Sequence, residues 1–290
     1  MNTKVVLVHG GALSNLPLFV AAAFGLFARH GLAVEVPRLA GFSSTVSLLR
    51  SGAADIGTTG FTQALADGGD DDPLRIVAGS GVLGMAVLGR PGIGASVEGA
   101  SFGTFADDPM QVMLYDFLAA RGVSWAAANR CYFPSLAEAA QALRAGRIDA
   151  VTMVEPWISK LSAEGFTLLT DGTDLWGTPY PDTVLVARAS FIQRAPEVVD
   201  ATIAAMLEAQ AAIVSNPRAA VEAAATFYPG FSLDELQAGL RGQPPMIDIR
   251  PLSRCIAERL PTIQALGGGM VMRDGAHVLD FSRLAAVLSQ

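Results

Sequence analysis

Cysteine and histidine are scarce in this sequence, basic charge never clusters, and the most apolar run is shorter than a membrane span. Each absence removes a class of function. The two cysteines are Cys131, in a strand-like run, and Cys255, in a helix-like one. They read as two buried thiols rather than as a disulfide. The three histidines, His9, His30 and His277, are isolated, and no ligand spacing links them, so no metal or other cofactor is expected. Lys and Arg total 20 against 27 Asp and Glu, a net charge of −7. With no basic stripe, nucleic acid is not expected as a partner. The acidic run Asp70-Asp71-Asp72 lacks the alternating oxygen ligands of a calcium loop. The most apolar helical run, Leu16 to Ala28, is closed by Arg29. It is shorter than the roughly 20 residues that cross a bilayer, so the chain is not expected to span a membrane. Residues 1–3 lead almost directly into an apolar strand, without a secretory leader. The expected location is periplasmic if a leader has been removed and cytoplasmic otherwise.

What is present is apolar and patterned. Hydrophobic residues make up 51% of 290 and charged residues 16%, enough for a large core and natural for two lobes. The stretch Leu13 to Gly57 sets the plan: a polar turn, an apolar helix stopping at His30-Gly31, a strand over Leu32 to Val36, a second helix ending at Ser51-Gly52, and a short strand from Asp55. The run Leu49 to Ile56 is echoed by Leu143 to Ala150, with Leu-Arg, a small residue, Gly, two residues, Asp and an apolar residue in each. In each copy a helix ends at Gly, which takes a left-handed cap without strain, and an Asp opens a strand. Strands alternating with helices point to parallel α/β units. The predicted division is residues 1–88 as the first segment of lobe 1, 89–184 as lobe 2, and 185–290 as the return segment and C-terminal helices of lobe 1. Crossovers are expected near Arg90 to Gly94 and at Thr183 to Ala187. From Ala195 onward the pattern is nearly all helical.

Several stretches carry a resemblance: Pro17 to Leu32, Leu49 to Gly57, Asp149 to Trp157, Pro196 to Val199, and Val278-Leu279-Asp280. In their order and spacing they resemble the type II periplasmic binding protein fold. Within it they are most similar to the sulfonate- and taurine-type ABC transporter substrate-binding proteins and to the thiamine-pyrimidine synthase family. The resemblance implies an α/β fold of two lobes, a hinge of two crossover strands and a helical C-terminal tail packed on lobe 1. It further implies a monomer, a small-molecule ligand in the interlobe cleft and, where the protein is exported, the membrane permease of an ABC importer as partner. The cysteine-rich segment of the thiamine-pyrimidine synthases is absent. The first strand-to-helix turn, Gly10 to Asn15, also lacks the nucleophilic cysteine of a related desulfinase group, so both chemistries are disfavoured.

In open α/β sheets a ligand sits beyond the carboxyl ends of strands, near helix N-termini. This rule selects His9, Ser14, Asn15, Phe42, Ser43, Ser44, Phe61, Thr62 and Ser80 in the first lobe. In the second it selects Asp107, Glu155, Trp157 and Tyr180. Ser14, Asn15, Ser43 and Ser44 stand where a residue either caps a helix or meets a ligand, and His9 is either a core histidine or a cleft group. Asp107 and Asp108 either cap a helix and favour its dipole or face the cleft. In the cleft they would repel a sulfonate or phosphate and favour a cationic or nitrogen-rich solute. Glu155 beside Trp157 pairs a carboxylate with an indole, suited to a ligand N–H and a stacked ring. Phe42, Trp157 and Tyr180 are candidate aromatic walls or core. No nucleophile, paired base or metal site stands out. The expected function is a solute-binding protein for a small organic, nitrogen-containing or heterocyclic ligand of an ABC-type importer. The alternatives are a cytoplasmic lyase or decarboxylase of an aromatic or heterocyclic acid on the same scaffold, and a ligand sensor.

Overall fold

A computed structural model describes residues 2–36, 44–66, 71–93, 97–177, 179–267 and 278–290. Among the described residues the apolar runs become ten strands: β1 (Thr3–Val8), β2 (Leu32–Glu35), β3 (Ile56–Gly60), β4 (Leu74–Val82), β5 (Met85–Gly89), β6 (Ser101–Thr104), β7 (Asn129–Tyr132), β8 (Ala150–Val154), β9 (Thr167–Thr170) and β10 (Pro181–Arg188). They form two five-stranded sheets, ordered β2-β1-β3-β10-β4 and β7-β6-β8-β5-β9. Within the first, β1 runs parallel to β2 and β3; within the second, β6 runs parallel to β7 and β8. The antiparallel members are β10, between β3 and β4, and β5, between β8 and β9. These are the strands by which the chain enters each sheet from the other. The result is a two-lobed α/β fold with two crossovers.

The sequence echo has a structural cause. Gly52 and Gly146 end their helices with φ of 74° and 66°. The Asp three residues on then clasps the neighbouring parallel strand. Asp55 accepts from the Val6 N–H at 2.9 Å on its carboxylate, and its own N–H donates to Val6 O at 2.9 Å. Asp149 does the same to Ser101, at 2.8 and 2.9 Å. A two-sided bond of this kind fixes strand register at the start of the strand, in β3 and β8 alike.

Some expectations need correction. The helix from Leu16 does not run to Ala28: it breaks after Ala23, where Gly25 turns left-handed (φ 68°), and resumes over Leu26–Arg29. The helix expected over Leu252 to Leu266 divides into Ser253–Ala257 and Leu260–Leu266, because Pro261 has no N–H to continue the ladder and sits in the first turn of the second piece. Asp280 opens a helix, Ser282–Leu288, and not only a turn. Cys131 is exposed, since β7 is an edge strand, and Cys255 is half-buried. Sheet membership changes between Val82 and Met85 and again at Pro181, a few residues ahead of the divisions expected at 88/89 and 184/185.

The first lobe's core is built on Leu18, Phe19 and Val20 against Val199, Ile203 and Met206 of the helix Pro196–Ser215, all essentially inaccessible. That helix is long and apolar enough to cross a membrane, with a mean hydropathy of 1.5. Here its apolar stripe packs on Leu16–Ala23 and on the terminal helix Ser282–Leu288, as a core helix does. Two tail helices also reach the second lobe: Leu233–Gly242 packs on Trp157–Ala163, and Leu260–Leu266 on Pro109–Ala119. The tail therefore braces the junction of the lobes as well as covering lobe 1.

Candidate functional site

Between the lobes lies a cavity of ≈ 30 Å³, room for roughly two water molecules. The first lobe contributes Asn15, Thr58, Thr59 and Gln63, and the returning strand β10 contributes Asp182 and Thr183. The facing wall, from the second lobe, is Asp108, Met110 and Val154. Among the described residues no Lys, Arg or His lines it.

Each polar group is held by the fold. Asp108 is the N-cap of Pro109–Ala119, accepting from the Met110 N–H at 2.9 Å. Burial pushes its carboxyl up to about 7, against the pull of that hydrogen bond, and the charges of Asp182 and Asp107 add to the rise. Asp182 sits where the β10–β4 register slips between Pro181 and Thr183. Such a bulge re-aims a side chain that strict alternation would point elsewhere. Burial raises the Asp182 carboxyl to about 6, opposed by hydrogen bonds from Ser14, Thr183 and Gln243. Gln243 Nε2 donates to Asp182 Oδ2 at 2.8 Å, and Thr183 Oγ1 donates to it at 3.2 Å. Thr58 donates its hydroxyl to Asn15 Oδ1 at 2.5 Å, and Thr59 donates to Gln63 Oε1. Both threonine protons are spent within the wall.

Of the residues selected from the sequence, Asn15 lines this cavity; its amide Nδ2 is tied to Ala12 O at 3.1 Å. Ser14 braces the wall from behind, sharing a 2.6 Å hydrogen bond with Thr183 Oγ1 and accepting one from Ser80 Oγ at 2.6 Å on its carbonyl. His9 is buried edge-on against Phe19 at 4.6 Å, its Nδ1 bonded to Gly10 O. Phe61 is fully buried and meets Trp176 edge-on at 6.0 Å. Tyr180 is core: its hydroxyl donates to Asp171 O at 2.6 Å and its ring packs on Trp176. Phe42, Ser43 and the side chain of Ser44 lie outside the described residues, as do Asp70, Thr178 and His277.

Glu155 and Trp157 are placed at the lobe junction but away from the cavity. The Glu155 carboxylate accepts from Ser159 N at 3.0 Å and Ser159 Oγ at 3.1 Å. It packs against Gly239 and Gly242, where an added Cβ would lie only 3.1 and 3.0 Å from its oxygens. Burial raises its carboxyl above the ordinary range. Its carbonyl accepts from Leu13 N and its N–H donates to Gly84 O, both at 3.0 Å. Trp157 is half-buried and edge-on to Phe231 at 5.1 Å. Beside it Lys160 reaches Gly230 O at 2.9 Å and Glu235 at 3.2 Å.

Thr62 and Asp107 face a second, smaller cavity of ≈ 20 Å³ that shares Asp108 with the first and is closed by Ile263 and Leu266. Asp107, and not Asp108, is the residue turned out of the helix start, with φ 57° and its N–H donating to Gln111 Oε1 at 2.9 Å. A surface depression of ≈ 690 Å³, well away from the cleft, is bordered by Glu98, Arg121 and Ser124. Sequence reasoning missed Thr58, Thr59 and Gln63. Thr58 and Thr59 stand at the carboxyl end of β3, where the strand-end rule applies, and helical phase turns Gln63 inward while Phe61 faces the core. The signal for Asp182 was a lone carboxylate in an apolar strand.

Solved structures share this architecture. The ligand binding component of an ABC-type import system from Staphylococcus aureus, described with zinc bound, matches with a TM-score of 0.83 and 16% identity over 99% of both chains. The periplasmic aliphatic sulphonate binding protein from Escherichia coli matches with a TM-score of 0.80 and 16% identity, covering 96% of this chain and 97% of that one. The periplasmic nitrate-binding protein from Synechocystis PCC 6803 matches with a TM-score of 0.80 and 16% identity, covering 99% and 89%. No curated protein matches the chain. The model of the NMT1-like family matches residues 2–227, well over half the sequence, and the chain belongs to the NMT1-like family.

Proposed function

We propose that this protein is a solute-binding protein that captures a small organic, nitrogen-containing molecule between its lobes. The supporting observation is the interlobe cavity: it carries polar side chains, and its walls come from both lobes, with Asn15 and Asp182 on one side and Asp108 on the other. A site divided between two bodies is made by closing and unmade by opening, which suits capture and delivery. The cavity as closed is too small for most organic solutes, so entry takes place by rotation about the crossovers at Leu83-Gly84 and Pro181-Asp182. The structural relatives from Escherichia coli and Synechocystis carry names of periplasmic anion binders, and the Staphylococcus aureus relative is named as part of an ABC-type importer. By analogy the partner is the permease of such an importer, and the working place is the outer face of the membrane.

Native mass spectrometry of the protein with a mixed pool of small amines, heterocycles, carboxylates and sulfonates tests this. One compound retained per chain at unchanged mass supports solute binding. A retained compound that changes mass, with product appearing in the pool, replaces the reading with an enzyme. No retention of any compound contradicts it.

A further inference from the structure

We propose that the interlobe cavity receives a protonated nitrogen of the solute, an ammonium or amidinium group, between the carboxylates of Asp108 and Asp182. The inference rests on the solute-binding reading and names the ligand chemistry that reading leaves open.

Three observations converge. Asp108 and Asp182 are 5% and 4% exposed, come from opposite lobes, and both line the cavity. No cationic side chain among the described residues lines it with them. Two buried carboxylates without a counter-charge form an arrangement that a bound cation relieves and a bound anion worsens. The hydrogen-bond inventory points the same way. The Thr58 and Thr59 protons are given to Asn15 and Gln63, and Thr183 donates to Asp182, so these hydroxyls offer the cavity lone pairs rather than protons. Independently of the acids, Thr62 is 2% exposed and lines the adjoining cavity that shares Asp108, and its Oγ1 has no hydrogen-bond partner among the described residues. A buried hydroxyl of this kind is rarely left unpaired, and beside Asp108 it is suited to a donor from a ligand.

The charge balance needs no other reactant. The solute enters as a cation, forms hydrogen bonds from its N–H groups to the two carboxylates, and closing of the lobes removes the group from water. Asp108 keeps its capping bond to Met110, which uses one carboxylate oxygen only.

The test uses four probes of matched shape at pH 8: benzylamine, benzamidine, benzyl alcohol and benzenesulfonate. Binding is read by native mass spectrometry and by calorimetric titration of the full chain. The expected result is that one or both cationic probes bind at least about thirtyfold more tightly than the alcohol and the sulfonate. In Asp108→Asn and Asp182→Asn, each nearly isosteric, that preference falls to within about threefold. Asn caps a helix as well as Asp, so Asp108→Asn keeps the helix start; circular dichroism verifies this, and Asp182→Asn tests the idea without touching the cap. Equal or tighter binding of the alcohol or the sulfonate, or a preference unchanged in both variants, overturns the inference while leaving solute binding intact. If all four probes and the mixed pool are refused, the solute-binding reading falls with it.

Discussion

The Gln243 side-chain amide donates to Asp182 Oδ2 at 2.8 Å and, through the same nitrogen, to Leu83 O at 3.1 Å. One amide thus ties the outgoing crossover to the returning one. The Leu83 N–H adds a direct link, donating to Tyr180 O at 3.0 Å. Leu83 and Gly84 are successive left-handed residues, with φ of 60° and 71°, and the Gln243 side chain lies over Gly84. The crossovers and the interlobe cavity therefore share a residue: whatever changes the charge on Asp182 acts on a contact that holds the crossovers together.

Gln243→Ala removes this tie and leaves a buried carboxylate short of its best donor. The expected cost is about 1–3 kcal/mol, read as a lower midpoint in urea with an unchanged slope. A midpoint equal to that of the parent would show that the amide contributes nothing.

Acidity follows from the two buried carboxyls. Asp108 at about 7 and Asp182 at about 6 both lie above the ordinary value of 3.8. Between roughly pH 4 and 7 the folded state therefore holds more protons than the unfolded one. The stability contributed by these two groups is full below that window and is lost as pH rises through it. Asp182 and Asp107 are the charges that act on Asp108, and both are of the same sign. Asp108→Asn is accordingly expected to be more stable than the parent at pH 8, by an amount of the order of a few kcal/mol, and so to melt at a higher temperature. The difference should close near pH 4.5. Thermal melts at the two pH values check this, and an equal difference at both would contradict it.

Gly60 offers a way to hold the lobes apart. A Cβ there would lie 2.6 Å from Pro109 Cδ on the facing lobe. In the closed form Gly60→Ala must displace a rigid proline ring, whereas in an open form the methyl has room. The expected outcome is a larger radius of gyration by small-angle scattering and solute affinity reduced by about tenfold. Parent-like scattering and affinity would rule out the closing motion.

Trp157→Ala removes an edge-on contact to Phe231 at the lobe junction but no cavity wall. Affinity is expected within about twofold of the parent, with stability lowered by about 1–3 kcal/mol. A hundredfold loss of affinity would return the indole to the binding site.

The elements and their order were legible because each carries a local signal. Ser135 caps its helix through the Glu138 N–H, Pro109 and Pro196 start theirs, and the Asp55 and Asp149 clasps show as a repeated string. The site was less legible because strand ends are shared between cleft and core. Tyr180 and Asp182 stand two residues apart at the start of β10, yet the ring is core and the carboxylate is cavity, and the bulge that sets them has no sequence mark beyond Pro181. Asp107 and Asp108 look alike in the sequence; a positive φ at the first gives the cap and the cavity to the second. Glu155 and Trp157 drew attention through their chemistry, but Gly239, Gly242 and Phe231, far away in the chain, take up those side chains.

The most direct measurement is a crystal structure of the protein saturated with the solute that native mass spectrometry retains. The expected result is one molecule between the sheets, with a nitrogen within hydrogen-bonding distance of both Asp108 and Asp182. Density for the solute outside the cleft, for instance in the depression beside Glu98 and Arg121, with the interlobe cavity unchanged, would contradict the account.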